Sequence, residues 1–255
     1  MTGKPLFYLD AQRVVDKAIA SRTKAQVART YLGGSQIGTE CTRRIQYSVM
    51  LPDSRPPVEP RVQRIFDVGN ILEEYLVRLL REAGLDVKTT KPDGKQYGFF
   101  LVNGRIRGHV DGVIVGTKTK FKDMEYPCLV EFKSAKDSSF KKFLRDGVMA
   151  ANPVYYSQVQ FYQRNMELLN PALFVMINKD TQDIYYELIH HNPAHTDRLI
   201  NKASDVLTAV DNGTLVDRAY TDKNNWNCKY CDFKEVCWEP EGEAVVPDGK
   251  PSWME

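Results

Sequence analysis

The chain has 255 residues, 42% hydrophobic and 27% charged, enough for one filled core and ordinary for a globular protein. A net charge of +2 excludes a uniformly basic or acidic surface, so any charged function depends on local clustering. No apolar run approaches bilayer length, and Met1 to Leu6 carry no signal-peptide core; the expectation is a cytoplasmic protein with no membrane contact.

Helical spacing is read over 8–30, from Leu9, Val14, Val15, Ala18 and Ile19. A Gly-Gly-Ser break at 33–35 precedes a short helix carrying Cys41, Arg43 and Arg44, and a proline-rich loop covers 52–60. Apolar residues from Val62 to Leu80 predict a long helix over 61–83, closed by Gly84. Strands are expected at Leu85–Thr90, Tyr97–Val102 and Arg105–Val115, with a buried one at Tyr126–Lys133. A helix over 153–169, a hairpin of Ala172–Asn178 with Asp183–His190, and a helix over about 193–211 complete the body. A cysteine-rich segment, 225–238, follows, and the Pro- and Gly-bearing tail from Glu239 reads as loose. The pattern argues for a mixed α/β sandwich, not a doubly wound nucleotide-binding fold, and there is no glycine-rich phosphate loop.

The stretch Leu129-Val-Glu131-Phe-Lys133 carries the chemistry. Strand alternation puts Glu131 and Lys133 on one face, and a carboxylate and an ammonium on an apolar strand are costly unless they serve each other or a metal. With Asp111 from a neighbouring strand, two carboxylates offer hard oxygen ligands for Mg²⁺ or Mn²⁺; the plainer alternative is a salt bridge. Asn70 shares a helix face with Glu73 or Glu74, Gln158 shares one with Tyr162, and His109 is read on the strand face of Asp111. Lys136, Lys141, Lys142 and Arg145 follow the strand as candidate phosphate contacts, with Arg43 and Arg44 as a second group. Phe99, Phe100, Tyr155 and Tyr156 are candidates for stacking on unpaired bases, or for the core.

Five cysteines in a cytosolic context suggest a metal or cluster site rather than disulfides. Cys228, Cys231 and Cys237 have C-x2-C-x5-C spacing and need a fourth ligand, for which Cys41 is the candidate; four thiolates suit an iron–sulfur cluster or zinc. Cys128 reads as a small core residue.

In this order — one early cysteine, Gly69-Asn-Ile-Leu-Glu73, Asp111, Glu131-x-Lys133, Gln158-x3-Tyr162 and a late cysteine triplet — the chain resembles the RecB-like branch of the PD-(D/E)XK nucleases that carry an iron–sulfur staple. That branch includes CRISPR-associated adaptation exonucleases, the AddB nuclease domain and phage-encoded exonucleases. The resemblance runs from about Leu32 to Trp238. It implies a restriction-endonuclease-like mixed sheet flanked by helices, with a staple lobe joining the two ends. It divides the chain into an N-terminal helical segment (1–60), a nuclease core (61–212), a cysteine-triplet segment (213–239) and a flexible tail (240–255). It implies Asp111, Glu131 and the Phe132 carbonyl as ligands of Mg²⁺ or Mn²⁺, Lys133 as catalytic lysine, and Gln158 and Tyr162 at the edge of the site. Cys41, Cys228, Cys231 and Cys237 would hold a 4Fe-4S cluster. Relatives carry histidine where this chain has Asn70, an amide oxygen that suits a harder ion. The implied activity is exonucleolytic hydrolysis of DNA, single-stranded or at duplex ends, in recombination, repair or replication, with a recombination protein as a candidate partner. The rival is a non-catalytic iron–sulfur DNA-binding or adaptor protein with a degenerate site.

Overall fold

The structure, a computed structural model, describes residues 6–24 and 29–238. Residues 25–28, within the first expected helix, and the tail from Glu239 lie outside the described residues. Helix α1 (Leu6–Lys24) lies against α3 (Pro60–Glu82), held by Arg22–Asp67 at 2.5 Å and by an Arg64–Asp16 ion pair. Between them, α2 (Thr42–Met50) begins directly after Cys41.

A five-stranded sheet forms the frame. Its order is β2 (Leu85–Lys88), β5 (Gly112–Thr117), β6 (Cys128–Ala135), β7 (Ala172–Asn178), β8 (Ile184–Ile189). All neighbours are antiparallel except β6 and β7. A parallel pair needs a long crossover, supplied here by α4 (Asp137–Ala151) and α5 (Pro153–Asn165). The reading of the sequence placed no helix at α4. Its five charged side chains mask an apolar stripe of which Phe140, Phe143 and Val148 are buried.

Alternation on β6 sends Cys128, Val130 and Phe132 toward α3, where they pack with Leu76, Val77 and Leu80. Leu129 faces the other way, into a core with Val159 and Phe161 of α5 and with Leu199 and Val206 of α6 (Pro193–Asp211). Leu32, Ile37, Ile45 and Val49 of the N-terminal segment join that same core.

Residues 105–115 do not form one strand. β4 (Ile106–His109) pairs with β3 (Gly98–Leu101) and β1 (Leu32–Gly33) in a separate three-stranded sheet, while β5 belongs to the large one. The chain changes sheet at Val110 and Asp111. His109 therefore does not share a strand face with Asp111: it ends β4, exposed, with its ring 6.0 Å from Phe100. At Gly108 a Cβ would lie 2.3 Å from Cζ of Phe99 and 3.0 Å from Cε1 of Tyr162, so the strand passes over these rings only because that residue has no side chain. The hairpin β7–β8 and helix α6 match the expectation closely.

Candidate functional site

Three elements meet where the two sheets part. The Asp111 loop brings a carboxylate to the edge of β6, where the Phe132 N–H donates to its Oδ2 at 2.8 Å. Glu131 on β6 is fully buried. Its Oε1 accepts from Lys133 Nζ and from Gln158 Nε2 of α5, the latter at 2.7 Å; its Oε2 is buried with no hydrogen-bond partner among the described residues. Tyr162, one turn along α5, hydrogen-bonds to Gln158 and packs edge-on against Phe99. Glu73 of α3 faces the same cluster from across a cleft of about 420 Å³ that Asn70, Phe66, Lys133, Tyr155 and Lys179 also line.

The electrostatics follow from burial. Loss of solvent pushes the Glu131 carboxyl up to about 8, with Asp111 adding and Lys133 opposing. Burial, then the charge of Asp111, pushes Glu73 up to about 7, and burial raises Asp111 as well. Burial also works against the Lys133 ammonium, but Glu131 and Asp111 outweigh it and hold its pKa above the ordinary lysine value. The Tyr155 ring lies 5.1 Å from Nζ of Lys133. Three carboxylates with raised pKa values around one lysine favour the arrival of further positive charge. Among the described residues, no three His, Cys, Asp or Glu side chains form a group that could hold a metal ion; Asp111 and Glu131 have instead turned to donors of the protein.

Asp111, Glu131, Lys133, Gln158 and Tyr162, picked out in the sequence, thus come together, with Phe132 and Asn70 beside them. Asn70 itself is solvent-exposed on the cleft wall. Helical spacing alone does not separate Glu73 from Glu74 as the partner of Asn70. Lys179 had not been singled out at all, since it follows β7 forty-six positions after Lys133 and no local pattern links them.

The basic candidates divide into two places. Lys136, Lys141, Lys142 and Arg145 are exposed at the start of α4, with Lys141 paired to Asp137 at 2.6 Å and Arg145 to Asp146 at 2.7 Å. Arg43 donates to the Val216 carbonyl at 2.6 Å, and Arg44 lies 3.9 Å from Asp232. Of the aromatic candidates, Phe99 is buried, Tyr155 lies in a cluster with Phe143 and Phe174, Tyr156 packs on His195, and Phe100 is exposed.

Cys41, Cys228, Cys231 and Cys237 line one cavity of about 300 Å³ at the junction of α2 with α7 (Trp226–Lys229) and α8 (Lys234–Trp238). The two chain ends are laced together there. Gln46 donates to the Thr214 carbonyl at 2.5 Å and accepts from the Val216 N–H at 2.9 Å, and Tyr220 donates to Glu40 at 2.7 Å. Phe233 is buried against Tyr47, whose hydroxyl has no partner among the described residues and which lines the cavity. Burial raises the pKa of the Cys228 and Cys231 thiols. Cys128 lies elsewhere, in the core against α3, with its thiol pushed up to about 12 by burial. No helix among the described residues is long and apolar enough to cross a membrane.

No protein-family model and no curated protein matches the chain. Solved structures do match. One is SSO0001, at 16% identity, covering 91% of this chain and 97% of that one, with a TM-score of 0.51. Another is an alkaline exonuclease, LHK-Exo, from Laribacter hongkongensis, at 14% identity, covering 77% and 92%, TM-score 0.52; the same enzyme in complex with dAMP matches at 15% identity over the same shares, TM-score 0.52. At these identities the likeness is one of fold: a mixed sheet flanked by helices, consistent with the restriction-endonuclease type.

Proposed function

We propose that this chain is a metal-dependent DNA exonuclease that hydrolyses phosphodiester bonds at DNA ends. The observation that carries the reading is the Oε2 atom of Glu131, a fully buried carboxylate oxygen without a donor among the described residues, on a side chain that the charge of Asp111 reaches and that Lys133 engages. An acceptor left bare in an apolar interior costs about 1–3 kcal/mol or more, and a hard cation removes that cost. Mg²⁺ or Mn²⁺ fits the donor set: Asp111, Glu131 and the Phe132 carbonyl from the sheet, with Glu73 and the Asn70 amide oxygen from α3. When bound, such an ion lowers the pKa of a water and offsets charge on the phosphate.

The remaining steps belong to the protein. Gln158, fixed by Tyr162, holds Glu131 in one rotamer. The Lys133 ammonium, one-fifth exposed, reaches into the cleft, where it orients the attacking water and stabilises the charge that develops on the phosphate oxygens. The fold neighbour described as an alkaline exonuclease, solved also with dAMP, supports this substrate class.

The four cysteines fit a 4Fe-4S cluster. They line a cavity wider than a single ion needs, and Tyr47, whose hydroxyl has no partner among the described residues, lines the same space. The cluster would tie α2 to the C-terminal segment, beside the hydrogen bonds that already join them.

The test is degradation of end-labelled single- and double-stranded DNA by anaerobically purified protein with Mg²⁺ or Mn²⁺, beside Glu131→Gln and Lys133→Met. The expected result is activity in the wild type and a loss of at least about 100-fold in each variant. A cluster-loaded wild type that binds DNA without degrading it would transfer the assignment to the adaptor reading.

A further inference from the structure

Two cations line the cleft beside the carboxylates: Lys133, engaged by Glu131, and Lys179, whose ammonium has no hydrogen bond or ion pair among the described residues. We infer that Lys179 is the substrate-phosphate anchor of this cleft, a role that rests on the nuclease reading. The backbone that carries that ammonium is fixed at the Lys179–Gln182 turn. The Lys179 N–H donates to the Ala135 carbonyl at 2.8 Å, and its own carbonyl accepts from Gln182 Nε2 at 2.9 Å. On either side, Asn178 Nδ2 donates to Asp137 Oδ1 at 3.0 Å, the Asp180 N–H to Asn178 Oδ1 at 3.0 Å, and the Asp137 N–H to Asp180 Oδ2 at 2.7 Å. This network ties the turn to the start of α4, so its backbone is preorganised while the side chain is left without a protein partner. A half-buried lysine in a cleft whose other walls include Glu73, Asn70, Phe66 and Tyr155 attracts an anion, and a DNA strand threaded toward Glu131 presents phosphates there.

The experiment compares wild type, Lys179→Gln and Lys179→Arg on strands bearing a 5′-phosphate or a 5′-hydroxyl, with steady-state kinetics, the salt dependence of binding and melting temperature. Lys179→Gln is expected to raise KM about tenfold with kcat little changed, to lower the log–log salt slope by about 0.7–0.9, and to leave the melting temperature unchanged. Lys179→Arg is expected to restore most of the affinity. A rise in KM confined to the phosphorylated strand assigns the anchor to a terminal phosphate; an equal rise on both assigns it to an internal one. Wild-type KM and salt slope in Lys179→Gln would overturn the inference while leaving the nuclease reading intact. An inactive wild type that binds DNA sinks the nuclease reading, and the salt slope then still decides whether Lys179 contacts phosphate. No DNA binding at all removes both.

Discussion

Removing the Lys133 ammonium should expose how much stability the site gives up for its chemistry. In Lys133→Met the fully buried Glu131 keeps its Gln158 contact at 2.7 Å but loses the counter-charge that Lys133 supplies. Breaking a buried pair in this way costs about 3–5 kcal/mol. The Lys133 side chain is 20% exposed, which places the cost near the lower bound, roughly 3 kcal/mol, or about 6–12 °C in melting temperature for a chain of this size. The sign of the pH dependence is fixed by the raised carboxyl. Its pKa in the folded protein is about 8 against an ordinary 4.5, so the folded state holds the extra proton and stability falls as pH rises through that window. Without Lys133 the window extends further upward, so the deficit against wild type should be small at pH 6 and clearly larger, though still partial, at pH 9. The double variant Glu131→Gln/Lys133→Met puts a neutral amide where Gln158 still finds an acceptor, and should recover most of the loss at pH 9 while remaining inactive. The assay is thermal melting in chelator at both pH values. A deficit equal at pH 6 and pH 9, or a double variant no more stable than Lys133→Met, would refute the reasoning.

Other outcomes follow from the same geometry. Mg²⁺ or Mn²⁺ should raise the melting temperature more at pH 8 than at pH 6, because at pH 6 protons occupy Glu73, held near 7, and Glu131, held near 8; calorimetric titration at the two pH values checks it. Asn70→His should shift metal preference toward Mn²⁺, read as the ratio of activities with the two ions. Cys237→Ser should abolish a visible band near 400 nm, an order-of-magnitude position for thiolate-to-iron absorption, and lower the melting temperature. Gly108→Ala should destabilise by about 1–3 kcal/mol, read as a lower urea midpoint, because its methyl group would meet Phe99 at 2.3 Å.

Local rules carried much of the molecule. Period-two alternation in Leu129–Lys133 was enough to put Glu131 and Lys133 on one face, and helical spacing paired Gln158 with Tyr162 and Asn70 with Glu73 or Glu74. The β7–β8 hairpin and α6 are short-range structures bounded by their own turn and capping residues, and they lie where the pattern put them. α4 escaped notice because its exposed charges outweigh a narrow buried stripe, which only the sheet beneath it makes meaningful. The break at Asp111 is likewise a tertiary event. Residues 105–115 have the composition of one strand, but two sheets compete for them, and the carboxylate takes its position from the corner where the chain leaves one sheet for the other. Glu73 and Lys179 enter the site from α3 and from the end of β7, and the gathering of the four cysteines depends on α2 meeting the C-terminal segment across some 170 residues. Sequence patterns report the face on which a side chain lies; which faces are turned toward one another, and which charge is then left without a partner, is decided by long-range packing alone.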